Sequence, residues 1–109
     1  MSARLEALQA MLERGQDSAL LRFSLGSEYL AADRAAEAVP QLEEAIRQDP
    51  GYSAAYKLLG KALAACGETG RAMQAYRDGI AVAEERGDRQ AVREMGVFLK
   101  RLAKDAGKA

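Results

Sequence analysis

The chain has 109 residues, 49% apolar and 29% charged, with sixteen basic side chains balanced by sixteen acidic ones. That is the composition of one ordinary globular domain, residues 1–109, and the even charge excludes the strongly basic class that grips nucleic acid. No apolar run approaches the ~20 residues of a membrane span, and the opening MSARLEALQAMLERG breaks its apolar residues with Arg4, Glu6, Glu13 and Arg14, unlike a signal peptide.

Histidine is absent. It is the usual general base and a common metal ligand, so a hydrolytic triad or a His-based metal site is excluded by inventory. Carboxylate or lysine chemistry stays formally open. Tryptophan and asparagine are missing too. A single cysteine, Cys66, rules out an internal disulfide and a cysteine-rich zinc site and sets the expectation of a reducing, cytoplasmic setting. Neither a cofactor nor an enzyme activity is expected. Met1 and the two end helices described next lead to the expectation of a complete short chain.

In chain order, the apolar spacing predicts six helices and no strands. Leu5, Leu8 and Leu12 mark the first, over 3–14. Leu21, Leu25 and Tyr29 mark the second, Val39, Leu42 and Ile46 the third. Leu59 and Leu63 mark the fourth, and Met73, Tyr76 and Ile80 the fifth. Val92, Met95, Leu99 and Leu102 mark the last, over 88–106. Five short breaks separate them: Gly15 to Asp17, Asp33-Arg34, Asp49 to Gly51, Gly67 to Gly70 and Arg86 to Asp88. Asp17 or Ser18, Asp33, Thr69 and Asp88 are candidate N-caps. Pro40 either kinks the third helix or stands at its start. The tail KDAGKA is expected to fray.

Sliding the chain by 34 residues places Leu25-Gly26 on Leu59-Gly60, Ala31 on Ala65, Ala38 on Ala72 and Ile46 on Ile80. A shorter echo, Val92-x-x-Met95-Gly96-x-x-Leu99, follows after a slip of two residues. The matches fall on apolar and small positions, where a packing repeat is kept. Arg22-x-x-Leu25-Gly26-x-x-Tyr29, Ala38-x-x-x-Leu42 and Pro50 form one unit, 19–52. Tyr56-x-x-Leu59-Gly60-x-x-Leu63 and Ala72-x-x-x-Tyr76 form a second, 53–86. This pattern resembles the tetratricopeptide repeat family. It departs at Arg22, where the family has a large aromatic, so the stem of Arg22 is expected to pack while its charge reaches water. The second unit has Glu84 where the closing proline belongs, so its second helix is expected to run longer. A helix-interior glycine costs about 1 kcal/mol. Gly26, Gly60 and Gly96 are therefore expected to admit a close neighbour, Gly26 that of Ala38 and Gly60 that of Ala72.

The resemblance implies an all-α array of antiparallel helix–turn–helix repeats, an α-solenoid, with the end helices as caps. It also implies a shallow concave groove, lined by the first helix of each unit, that holds a peptide or helix of a partner protein. Groove candidates are Leu20, Phe23, Ser27 and Leu30, then Ala54, Lys57, Lys61 and Ala64, then Arg93, Val97 and Lys100. Lys57 and Lys61 stand one turn apart and suggest an acidic segment as the ligand; the alternative is two solvated surface lysines. No asparagine is present for the carboxylate clamp that some family members carry. The competing reading is a structural scaffold that forms homo-oligomers through a terminal helix. Gly67-Glu68-Thr69-Gly70 reads as a turn rather than a phosphate loop, Arg86-Gly87-Asp88 as a chance string, and Glu43-Glu44 and Glu84-Glu85 as solvated faces. Cys66 reads as a small half-buried residue.

Overall fold

Ser2 and Ser18 hold extended backbone, and each hydroxyl accepts from the amide three residues on, Leu5 at 3.0 Å and Leu21 at 3.1 Å. This satisfies one of the free donors that every helix start exposes. From these caps run α1 (Ala3–Glu13) and α2 (Ala19–Ala31). They are followed by α3 (Ala35–Gln48), α4 (Ser53–Ala65), α5 (Thr69–Arg86) and α6 (Arg89–Gly107). The computed structural model describes residues 2–107. The fifth helix is the long one expected, 18 residues, and ends at Gly87, whose φ of +71° closes it in the left-handed region.

Two of the expected caps differ. Asp33 has a φ of +61° and terminates the turn after α2 instead of opening α3; aspartate tolerates that region. Thr69 is already the first residue of α5, and its flank, Glu68, makes no side-chain cap bond. Asp88 does cap, accepting from the Ala91 amide at 3.1 Å. Pro40 lies inside α3, which begins five residues earlier at Ala35 and continues without a break. The carbonyl that loses its bond belongs to Ala36, which is exposed, so water can replace the missing amide. Lys104 to Gly107 of the tail are helical, supported by continuity with the packed part of α6; Lys108 and Ala109 lie outside the described residues. Cys66 is exposed, not half-buried, because it follows α4 at the turn.

Helices α2 and α3 pack as one antiparallel pair and α4 and α5 as a second, with α1 on α2 and α6 on α5. A β-carbon built on Gly26 would fall 2.5 Å from Leu42 Cγ, and one on Gly60 would fall 2.5 Å from Tyr76 Cζ. Each glycine thus admits a large side chain of the next helix. The knob sits one turn beyond the alanine expected: Leu42 rather than Ala38, Tyr76 rather than Ala72. Both alanines are fully buried, and the atoms nearest each missing β-carbon belong to the longer side chain. Gly79 plays the same part between Tyr56 and Met95. Gly96 does not: among the described residues no other helix comes within 4 Å of where its β-carbon would stand.

The core falls into two clusters. One joins Leu5, Leu21, Leu25, Tyr29, Leu42, Leu59 and Leu63 across α1 to α4, reaching α5 at Ala72 and Ala75. The other joins Tyr76, Ala83 and Met95 with Phe98 and Leu99 where α5 meets α6. The molecule is a slab of 44 × 32 × 19 Å, its thickness that of two helix layers. α2 touches α4 and α4 touches α6, whereas α3 and α5 stand apart. The inner helices are closer together than the outer ones, so the array curves with α2, α4 and α6 inside.

Candidate functional site

Helical spacing puts Leu20, Ser24 and Ser27 on one face of α2, and Ala54, Leu58 and Lys61 on the matching face of α4. These faces point away from the partners that α3 and α5 supply. Leu20 is 66% exposed, and Ser24, Ser27, Ala54 and Leu58 are half-buried. The inner surface is therefore shallow, floored by small side chains with one open leucine.

The other candidates occupy junctions. The Phe23 ring stacks on Tyr52 with centroids 4.9 Å apart, sealing α2 against the entry to α4, and Leu30 packs on the first core cluster. Ala64 also packs there. Lys57 donates to Glu94 of α6 at 3.2 Å. The Lys61 ammonium stands 5.0 Å above the Phe98 ring, a cation–π contact. Among the described residues Lys61 has no ion-pair partner. Arg93, Val97 and Lys100 are exposed on α6, and Arg93 borders an open crevice of about 540 Å³ between the end of α5 and the start of α6. The structure thus brings Lys57 and Lys61 together against α6 and leaves Arg93, Val97 and Lys100 exposed on that helix.

Glu94 and Phe98, the acceptors of the two lysines, escaped the sequence reading. The signal was present: Lys57 and Glu94 are 37 residues apart, as are Lys61 and Phe98, one residue beyond the offset that relates Gly60 to Gly96. Ser24 and Leu58, which complete the inner faces, follow from the same 34-residue shift.

Arg22 also differs from expectation. Its guanidinium does not reach water freely; it grips Asp17 with two bonds of 2.9 Å and reaches Gln41 of α3 at 3.0 Å. Gln48 adds a bond to Asp17 at 3.1 Å and one to Glu44. Hydrogen bonds from Arg22 and then Gln48 hold the Asp17 carboxyl well below the usual carboxylate range. Those from Arg47 and Gln48 lower Glu44 from 4.5 to about 2. Both groups hold a proton less tightly in the folded state than in the unfolded one. Their contribution to stability is therefore complete above pH ~4.5; that of Glu44 is lost as pH falls through about 2, and that of Asp17 at lower pH still. Melting curves between these limits should show a falling midpoint that Glu44→Gln flattens. Because the groups are solvent-facing, salt should shrink the effect.

The tetratricopeptide repeat model matches residues 29–94. The chain belongs to the tetratricopeptide repeat family. A TPR repeat-containing protein of Pseudomonas aeruginosa is 50% identical over 98 residues, 90% of this chain and 93% of that one. The solution structure of a Bordetella parapertussis protein is similar at a TM-score of 0.84 and 47% identity, covering 96% of this chain and 91% of the other. A TPR domain protein from Salinibacter ruber follows at a TM-score of 0.75 and 30% identity, covering 81% and 98%. TPR repeats generally mediate protein–protein interaction, a role that needs a shaped surface rather than reactive groups. Among the described residues, no helix of this TPR chain is long and apolar enough to cross a membrane.

Proposed function

We propose that the inner face of α2 and α4 holds a segment of a partner protein without covalent chemistry. In this reading 19–52 and 53–86 are two TPR units, and α1 and α6 cover their ends. The observation that carries it is the shallow inner surface itself: Leu20, 66% exposed, lies beside small half-buried side chains, in a family that works by protein contact. An apolar side chain of the partner would cover Leu20, and the small residues would let its backbone approach. Lys57 is engaged by Glu94, so the charge left to choose an acidic segment is that of Lys61, and weakly.

The test is hydrogen exchange on the protein with a partner bound. Protection is expected at residues 20–31 and 54–65. Leu20→Glu with Lys61→Glu should weaken binding roughly tenfold or more while the melting temperature holds, since both side chains are exposed. Protection confined to α3 and α5, or binding indifferent to the double variant, would reject this face.

A further inference from the structure

We infer that α6 carries a second docking surface, on the face that holds Gly96 and its basic row, for an acidic amphipathic helix of a partner protein. Three glycines follow a Leu or Met in the same helical context. Gly26 is filled by Leu42 from α3 and Gly60 by Tyr76 from α5. Gly96 has the same setting, Val92-x-x-Met95-Gly96-x-x-Leu99, and among the described residues no other helix reaches within 4 Å of where its β-carbon would be. Met95 is buried against α5, and Val92 and Leu99 are half-buried there. The cradle is therefore complete along one edge and lacks only the helix that would press into it.

The chemistry of the missing helix is set by the other edge. Arg89, Arg93, Gly96, Lys100 and Lys104 share one face of α6 by their spacing of three and four. All four cations are exposed, and among the described residues none makes an ion pair. The acidic side chains of α6 lie off this row: Glu94 is bound to Lys57, and Asp105 follows the last lysine. Glu84 and Asp88 share the crevice at the start of the helix with Arg89 and Arg93, so the row's uncompensated charge lies toward Lys100 and Lys104. A second copy of α6 would bring four positive charges against four, so self-pairing through this face is opposed. An occupant with a leucine-sized knob over Gly96 and glutamates along the basic row satisfies both edges.

The probe is a synthetic amphipathic peptide of about 18 residues, long enough to hold a helix, with a leucine stripe flanked by glutamates. Its control has lysine for each glutamate. Binding is read by anisotropy and by backbone amide shifts. The glutamate peptide should bind, shift amides over 92–104, and weaken as salt rises. Gly96→Leu should cost about tenfold or more although the variant folds, because the site it fills is open. Arg93→Glu with Lys100→Glu should do the same. The proposal is overturned by no saturable binding below ~1 mM, by equal binding of the lysine peptide, by shifts confined to the inner faces of α2 and α4, or by indifference to Gly96→Leu. Binding of duplex DNA or phosphatidylserine vesicles without the peptide would reassign the basic row and overturn it as well.

Discussion

Gly60→Ala lowers the melting temperature, whereas Gly96→Ala raises it. The same substitution in the same helical context acts in opposite directions because the space differs. At position 60 the new methyl would stand 2.5 Å from Tyr76 Cζ. That ring is 2% exposed and stacked on Phe98 at 5.7 Å, so it has nowhere to swing. Overpacking costs about 1–3 kcal/mol, and the helix propensity gained on losing glycine returns about 1 kcal/mol. The balance is a loss, larger for leucine than for alanine. At position 96 only the propensity term remains, a gain of about 1 kcal/mol or roughly 4–8 °C. Thermal melts followed by circular dichroism decide the matter. If both variants melt higher than the parent, close helix approach is not what retains Gly60.

Met95→Ala should be the most damaging single truncation on the C-terminal side. The side chain is fully buried, packs over Gly79, and joins α6 to Tyr76 and Ala83 of α5. A buried methionine cut to alanine costs about 2–5 kcal/mol, a large share of the ~5–15 kcal/mol that holds a domain folded. The loss should be local before it is global. The second core cluster is small and terminal, so amide exchange should accelerate first across 89–107. Amides of α2 and α3, served by the larger cluster, should follow only at higher denaturant. Uniform acceleration along the chain would mean that the two clusters unfold as one.

The six helices were legible because their apolar residues keep a helical period and their breaks are short. The pairing was legible because Leu-Gly recurs at the repeat distance. What the letters did not show was the depth of each contact. A glycine announces that something comes close, but Ala38 and Leu42 lie on the same face, and only three dimensions reveal which one enters. Gly96 misled for a related reason: its pattern describes one side of a contact and is silent about whether the other side exists. Asp33 was ambiguous because aspartate suits both a cap and a left-handed turn. The lysine pair was visible, but its charge state as a ligand site was not, since Glu94 and Phe98 come from the next layer of the stack.

The separation of α3 from α5 governs how this molecule yields to load. Across that gap the exposed Arg71–Glu43 ion pair reaches at 3.0 Å, and such a pair contributes at most about 1 kcal/mol. The two helix pairs are joined instead through α3 and α4, which pack on each other, so load across the outer layer falls on that contact.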